Sequence, residues 1–288
     1  MRAFLLLLAS AALAALPVAD SPGILRMKRW SSGDLEVGGE LASLPPGSTR
    51  YIRYEGLLRL PQENYTLSDD SNLPAKTEVG GVALETLAQV LGQLSSDSLI
   101  VAICDDQYRA NYPRGYLAQH HPLLVLRIDG KLHGQWPPLQ DGGTPGPYLI
   151  SHPFFKPAFK VLSHEDEPQI PYGIVRIEFR RESAVFGAIR PTGSWSANSQ
   201  VEQGYVIARQ DCFRCHNMGA EGGTKAGRSW MQLAKSAVEN GERFRQIIRN
   251  PVAVNPKAMM PAHTGYDDAT LDAYTAYFKT FDPAGRNR

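Results

Sequence analysis

Cys212-Phe213-Arg214-Cys215-His216 is the stretch on which the reading of this 288-residue chain turns. Its spacing is C-x-x-C-H. Two thiols three positions apart can each add to one vinyl group of a haem, while the imidazole that follows is placed beneath the iron as a proximal ligand. Serine in place of either cysteine could not form the thioether. Two other chemistries use part of the pattern: a redox dithiol and half of a zinc site, both at home where thiols stay reduced. Zinc would need two more ligands nearby, and the one remaining cysteine, Cys104, lies far upstream. The haem reading accounts for every residue of the motif.

The flanks read as helices. Val201 to Ala208 precedes the motif, with Gly204 and Ala208 four residues apart, a spacing that lets another helix come close. Phe244 to Arg249 reads as a second helix and Leu271 to Phe281 as a third, with loops between them. On the last, Leu271, Tyr274, Ala276, Tyr277 and Phe278 line an aromatic-rich face, and Asp267 and Asp268 supply the cap and complement the dipole. The first and last of these helices, crossing, would close a small haem-holding bundle.

Between the second and third lies Ile247-Ile248-Arg249-Asn250-Pro251, followed at a short distance by Met259-Met260-Pro261-Ala262-His263. Here residues of about 198 to 282 resemble class I cytochromes c. In that family a helix ending in an Asn-Pro step leads into a loop whose Met-Pro delivers the sixth iron ligand. The resemblance implies haem c held covalently by Cys212 and Cys215, His216 as proximal ligand and Met260, just before Pro261, as distal ligand. Met259 and His263 are its rivals. A thioether favours ferrous iron and raises the potential, whereas histidine would lower it, so the choice decides which partners can exchange electrons. One departure stands out. Where the family often has Gly-Pro-x-Leu, with a carbonyl accepting the proximal histidine's N–H, this chain has Gly227-Arg228-Ser229-Trp230. Any residue supplies a carbonyl, so the orienting bond is left open. Arg228 and Trp230 are candidates for a haem propionate, with surface and packing roles as the alternatives.

Upstream, from Leu25 to about Phe179, the texture is α+β. Tyr51 to Leu60, Leu99 to Cys104, Leu123 to Ile128 and Gly173 to Phe179 read as strand-like runs, punctuated by Gly and Pro clusters, and Leu84 to Leu94 fits a helix face. Residues of roughly 50 to 160 resemble the molybdopterin-binding domain of sulfite-oxidase-like oxidoreductases. The likeness rests on Tyr54-Glu55-Gly56-Leu57-Leu58-Arg59-Leu60-Pro61, Gly80-Gly81-Val82-Ala83-Leu84 and Val101-Ala102-Ile103-Cys104-Asp105-Asp106-Gln107-Tyr108-Arg109. It implies Cys104 as a molybdenum ligand. A lone cysteine after a strand is otherwise a small buried hydrophobe. No set of Arg, His and Lys suited to a pterin phosphate stands out, and His120, His121 and His152 have no ligand spacing. A cofactor-free relative is therefore the preferred reading.

The expected organisation is a signal peptide at 1–19, an α+β domain at 20–190, a linker at 191–198 and an all-α class I cytochrome c domain at 199–288. Met1-Arg2, an apolar run from Ala3 to Leu16 and the exit Pro17-Val18-Ala19 form an export signal shorter than the roughly 20 residues a bilayer span needs. A periplasmic or otherwise exported protein follows, with no membrane span after cleavage. A net charge of +1 argues against nucleic-acid partners, and 43% apolar with 20% charged residues is ordinary for a globular chain. Two functions remain: an electron carrier whose α+β domain docks a redox partner protein or small-molecule donor, and a molybdenum-dependent dehydrogenase with a fused cytochrome acceptor.

Overall fold

The computed structural model describes residues 23–92 and 94–282, so the export signal read at 1–19 lies outside the described residues. In chain order the strands are β1 (Leu25–Arg26), β2 (Leu35–Gly39), β3 (Arg50–Ile52), β4 (Glu63–Thr66), β5 (Glu78–Ala83), β6 (Ser98–Cys104), β7 (Arg109–Pro113), β8 (Leu123–Ile128), β9 (Lys131–Leu132), β10 (Leu149–Ser151), β11 (Lys160–Val161), β12 (His164–Glu165) and β13 (Ile174–Arg181). The helices are α1 (Tyr54–Leu57), α2 (Leu84–Leu91), α3 (Arg114–His120), α4 (Glu182–Gly187), α5 (Gln200–Gln210), α6 (Trp230–Glu239), α7 (Gly241–Arg249), α8 (Pro251–Val254) and α9 (Asp268–Lys279). Mixed sheets fill the first part of the chain and helices the last.

The main sheet has the order β1-β3-β2-β13-β6-β7, with β13 parallel to β2 and antiparallel to β6. A second sheet runs β10-β8-β5-β4, with β9 added on β8, and β11 and β12 make a separate hairpin. Strand β6 explains how these layers meet. Its side chains alternate between two faces. Ile100, Ala102 and Cys104 enter the core shared with α2, β5 and β8. Leu99, Val101 and Ile103 enter a different core, built with α4, α5, α6, α7 and α9. A strand covered on both faces reads as an unbroken apolar run, Leu-Ile-Val-Ala-Ile, rather than as an alternation. The helical part therefore packs on the outer face of the main sheet. Each fully buried Leu, Val or Ile there contributes about 1.5–3 kcal/mol relative to exposure.

The helices start where side chains cap them. The Ser199 hydroxyl accepts from Glu202 N at the head of α5, and the Asp267 carboxylate from Thr270 N, at 2.8 Å, at the head of α9. These two helices cross at Gly204. A methyl group built there would lie 2.1 Å from the Ala273 carbonyl oxygen, so only glycine permits the approach. The connection at 191–198 is irregular and is tied to α9 by Thr192 N donating to Thr280 Oγ1 at 3.3 Å.

Two expectations are corrected. The run Tyr51 to Leu60 is not one strand: β3 ends at Ile52 and α1 turns the chain from Tyr54. Helix α6 occupies a stretch read as loop, its Trp230, Ala234 and Ala237 buried on one face. Among the described residues no helix is long and apolar enough to cross a membrane.

Candidate haem site

A cavity of about 950 Å³ opens among α6, α7, the loop after α8 and the Cys212–His216 turn. Small-molecule sites run from about 300 to 1,000 Å³, so this one has room for a large ligand. Cys212, Cys215, His216 and Met260 all line it. The local backbone gathers the first three: Cys212–Arg214 forms a single 3₁₀ turn, and the N–H groups of Cys215 and His216 both donate to the Cys212 carbonyl, at 3.1 and 2.9 Å. Two glycines that sequence reasoning passed over let the following loop fold back on this turn. A methyl group on Gly223 would meet the Arg214 carbonyl at 1.9 Å, and Gly222, at φ +83°, has no room beside the His216 carbonyl.

The alternatives for the motif fare poorly. Redox dithiols depend on a depressed thiol pKa. Here burial is the largest influence on both thiols and drives them up, Cys212 well above its usual value. The two cysteines are not joined to each other. Among the described residues, the one cluster with metal-ligand geometry is His164, Glu167 and Asp211, which contains neither cysteine. Among the described residues a zinc site built on this motif has no second pair of ligands.

His216 is held as an iron ligand needs to be. Its Nδ1 donates to the Arg228 carbonyl at 2.7 Å. Nε2 has no hydrogen-bond partner among the described residues, and the ring borders the cavity. Burial lowers the imidazole's pKa, which favours the neutral form that coordinates metal. The carbonyl left open by the Gly227–Trp230 departure is thus supplied by Arg228. Trp230 is fully buried against Phe213, Tyr277 and Phe278, which makes it a core residue, while Arg228 borders the cavity.

Met260, which also lines the cavity, packs against the apolar cluster. Its rivals also border the cavity: Met259 is 91% exposed, and the His263 ring stacks on Tyr266 at 4.7 Å. The first part of the chain also reaches the cavity. Tyr108, just after the β6–β7 turn, lines it and meets the Arg214 guanidinium, which in turn pairs with Glu167 at 3.2 Å. The same turn grips the loop after the motif: Thr224 N donates to the Gln107 carbonyl at 3.2 Å, and Asp106 pairs with Lys225 at 2.5 Å.

Cys104 lies elsewhere in chemical character. It is 2% exposed at the end of β6, facing the inner core, and burial pushes its thiol up to about 12. His120 bonds to Asp166 at 2.9 Å and His152 to the Tyr116 hydroxyl at 2.8 Å, so neither ring is turned to Cys104 as a fellow ligand.

Comparison with known proteins bears on the helical part. The family model described as cytochrome C oxidase, cbb3-type, subunit III matches residues 199–278. The C-terminal part of the chain is therefore a cytochrome c domain, which implies haem c and electron exchange with a redox partner. No curated protein matches the chain. Among solved structures it resembles the sulfane dehydrogenase SoxCD from Paracoccus pantotrophus at 13% identity and a TM-score of 0.35, covering 54% of this chain and 40% of that one. The chain spans well under half the length of that relative, and so loose a superposition leaves the fold of the first part unassigned.

Proposed function

We propose that this protein is an exported carrier of single electrons, with one haem c bound through Cys212 and Cys215, ligated by His216 and Met260, and set in a class I cytochrome arrangement. The observation that carries the reading is the His216 ring, fixed by the Arg228 carbonyl on one nitrogen and bare on the other, at the wall of a cavity that Met260 also lines. A bound haem would supply the one-electron redox couple. The protein's own residues do the rest: His216 stays neutral and oriented, the apolar helix faces exclude water, and Met260 offers a soft thioether that favours the reduced state.

The sulfite-oxidase-like domain at 20–190 is proposed as a cofactor-free unit that docks the donor or acceptor. Its fixed seat on the helical part supports this, because a partner bound there is held at a set distance from the cavity. Cys104, closed into the inner core with its thiol pushed up by burial, favours this reading over the molybdenum-dependent one.

Purification of the chain after export tests both statements. Mature protein should be red, with about one iron atom per chain and no molybdenum, and its haem should resist acid–acetone extraction. Met260→Ala should abolish the weak long-wavelength band that an iron–sulfur bond gives ferric haem. Colourless protein would refute the haem assignment, and survival of the band would refute Met260.

A further inference from the structure

Arg214 fills one of the two open positions between Cys212 and Cys215, where haem attachment asks for no particular residue. The structure nevertheless closes it in. Its side chain is 13% exposed at the wall of the cavity, and Nη2 donates to Glu167 Oε2 at 3.2 Å. The Tyr108 phenol also meets the guanidinium, while Nε is buried without a partner among the described residues. Stability gives little reason for this placement, because a buried ion pair is often no better than apolar residues of the same volume.

Both partners come from the first part of the chain: Tyr108 follows the β6–β7 turn, and Glu167 lies two residues beyond β12. The turn is itself fixed to the loop after the motif. Arg109 Nη1 donates to the Ala220 carbonyl at 3.2 Å, and Thr224 N to the Gln107 carbonyl at 3.2 Å. Tyr108 is thus held in place relative to Arg214.

The charges around Arg214 divide into shielded and exposed. Asp211, whose side chain is 5% exposed, adds a second carboxylate to the wall beside Glu167. Burial raises the Tyr108 pKa, so the phenol brings hydrogen bonding without charge. Arg228 and Arg243 border the cavity but are exposed, and Lys225 is drawn to Asp106 at 2.5 Å. Water screens an exposed charge and leaves a buried one strong. Among the described residues at the cavity, Arg214 is therefore the cation whose field reaches the interior most strongly.

We propose, on the reading that the cavity holds haem, that the first part of the chain sets the reduction potential of the cytochrome domain by holding the Arg214 charge at the cavity wall, with Tyr108 and Glu167 as the positioning residues. Reduction takes one electron from the redox partner and removes one unit of positive charge from the cavity, with no proton exchanged. A guanidinium fixed at the wall favours that state, and a carboxylate opposes it. Within the Arg214–Glu167 pair the two effects largely cancel, so each charge is felt in full once its partner is taken away. Unit charges about 10 Å apart, roughly the breadth of a cavity of about 950 Å³, shift the ratio of reduced to oxidised protein roughly tenfold at an effective dielectric of about 20.

Reduction potentials of full-length, haem-loaded protein test this at about pH 8, above the ordinary carboxylate range. Glu167→Gln removes an anion and should raise the potential, and Arg214→Gln removes the cation and should lower it, each by a roughly tenfold change in that ratio. The double variant replaces the ion pair with a neutral one and should return close to the wild-type potential. Arg214→Lys keeps the charge and should also stay close to wild type, whereas a purely structural role would be served no better by lysine than by glutamine. Tyr108→Phe frees the guanidinium to turn toward water and should lower the potential by less than Arg214→Gln does. A Glu167→Gln protein with an unchanged or lower potential, or an Arg214→Gln protein with an unchanged or higher one, would overturn the proposal. Glu167, with 36% of its side chain exposed, decides the sign if Arg214→Gln protein does not fold. An unchanged potential in Tyr108→Phe would overturn the role of Tyr108. Wild-type protein without haem would instead overturn the reading of the cavity, and the proposal with it.

Discussion

Replacing Gly204 with alanine tests whether the α5–α9 crossing shapes the cytochrome domain as described. The new methyl would sit 2.1 Å from the Ala273 carbonyl oxygen and 2.7 Å from Tyr277 Cβ. Carbon atoms in good contact are about 3.5–4.0 Å apart, so the helices would have to part by roughly 1 Å. The obstruction is backbone, and Ala273 and Tyr277 are fully buried, so no flexible side chain can yield. Over-packing of this kind costs about 1–3 kcal/mol, and the rigid contact places this case near the upper end. Alanine's better helix propensity returns about 1 kcal/mol. The net loss is about 2 kcal/mol, which for a chain of this size lowers the melting temperature by roughly 4–8 °C. Thermal unfolding of haem-loaded protein, followed by far-ultraviolet circular dichroism and by haem absorption, measures it. Gly115→Ala on α3 is the control: a methyl there meets nothing within 4 Å, so stability should be equal or slightly higher. If Gly204→Ala melts at or above the wild-type temperature, the crossing is not as close as the structure has it and the argument fails.

Other consequences follow from burial. The Cys104 thiol, pushed up to about 12, should be about one ten-thousandth ionised at pH 8 and inert to iodoacetamide in native protein, reacting once the chain is unfolded. Rapid native alkylation would show an accessible thiolate and revive the molybdenum-ligand reading. His152 is held neutral by burial, its pKa lowered to about 3. The unfolded value is near 6.5, so the unfolded state binds the proton first as pH falls, and stability present above about 6.5 is lost progressively down to about 3. Between pH 7 and 4.5 that amounts to roughly 2–3 kcal/mol. In urea titrations at the two pH values, His152→Gln should lose less stability than wild type by that difference. Equal losses would mean that His152 is not buried neutral.

The reach of the sequence can be judged from particular elements. The β6 and β8 strands and the α5 and α9 helices were legible because apolar spacing and caps act within a few residues. Helix α6 was missed although Trp230, Leu233, Ala234 and Ala237 recur at helical spacing, with Gln232 Oε1 accepting from Ser229 N at 2.8 Å at its start. Gly219, Gly222, Gly223 and Gly227 crowd the stretch before it, and glycine weakens a helical signal. The strand assigned across Tyr51 to Leu60 failed because Tyr54 and Leu57 are buried at helical spacing in a stretch too short to show a period.

By itself, the sequence determined what depends on neighbours in the chain: the C-x-x-C-H group, the alternation of apolar texture from strands to helices, and the close approach marked by Gly204. Tertiary structure decided what depends on groups brought together from afar. It supplied the Arg228 carbonyl to His216, left Met259 exposed while packing Met260 against the apolar cluster, and brought Tyr108 and Glu167 from the first part of the chain to the cavity. It also set His164 between Tyr266 and Gln210. The physical reason is that spacing along the chain fixes which way a side chain points, whereas its partner is fixed only when β6 buries both faces and the helices close over one of them.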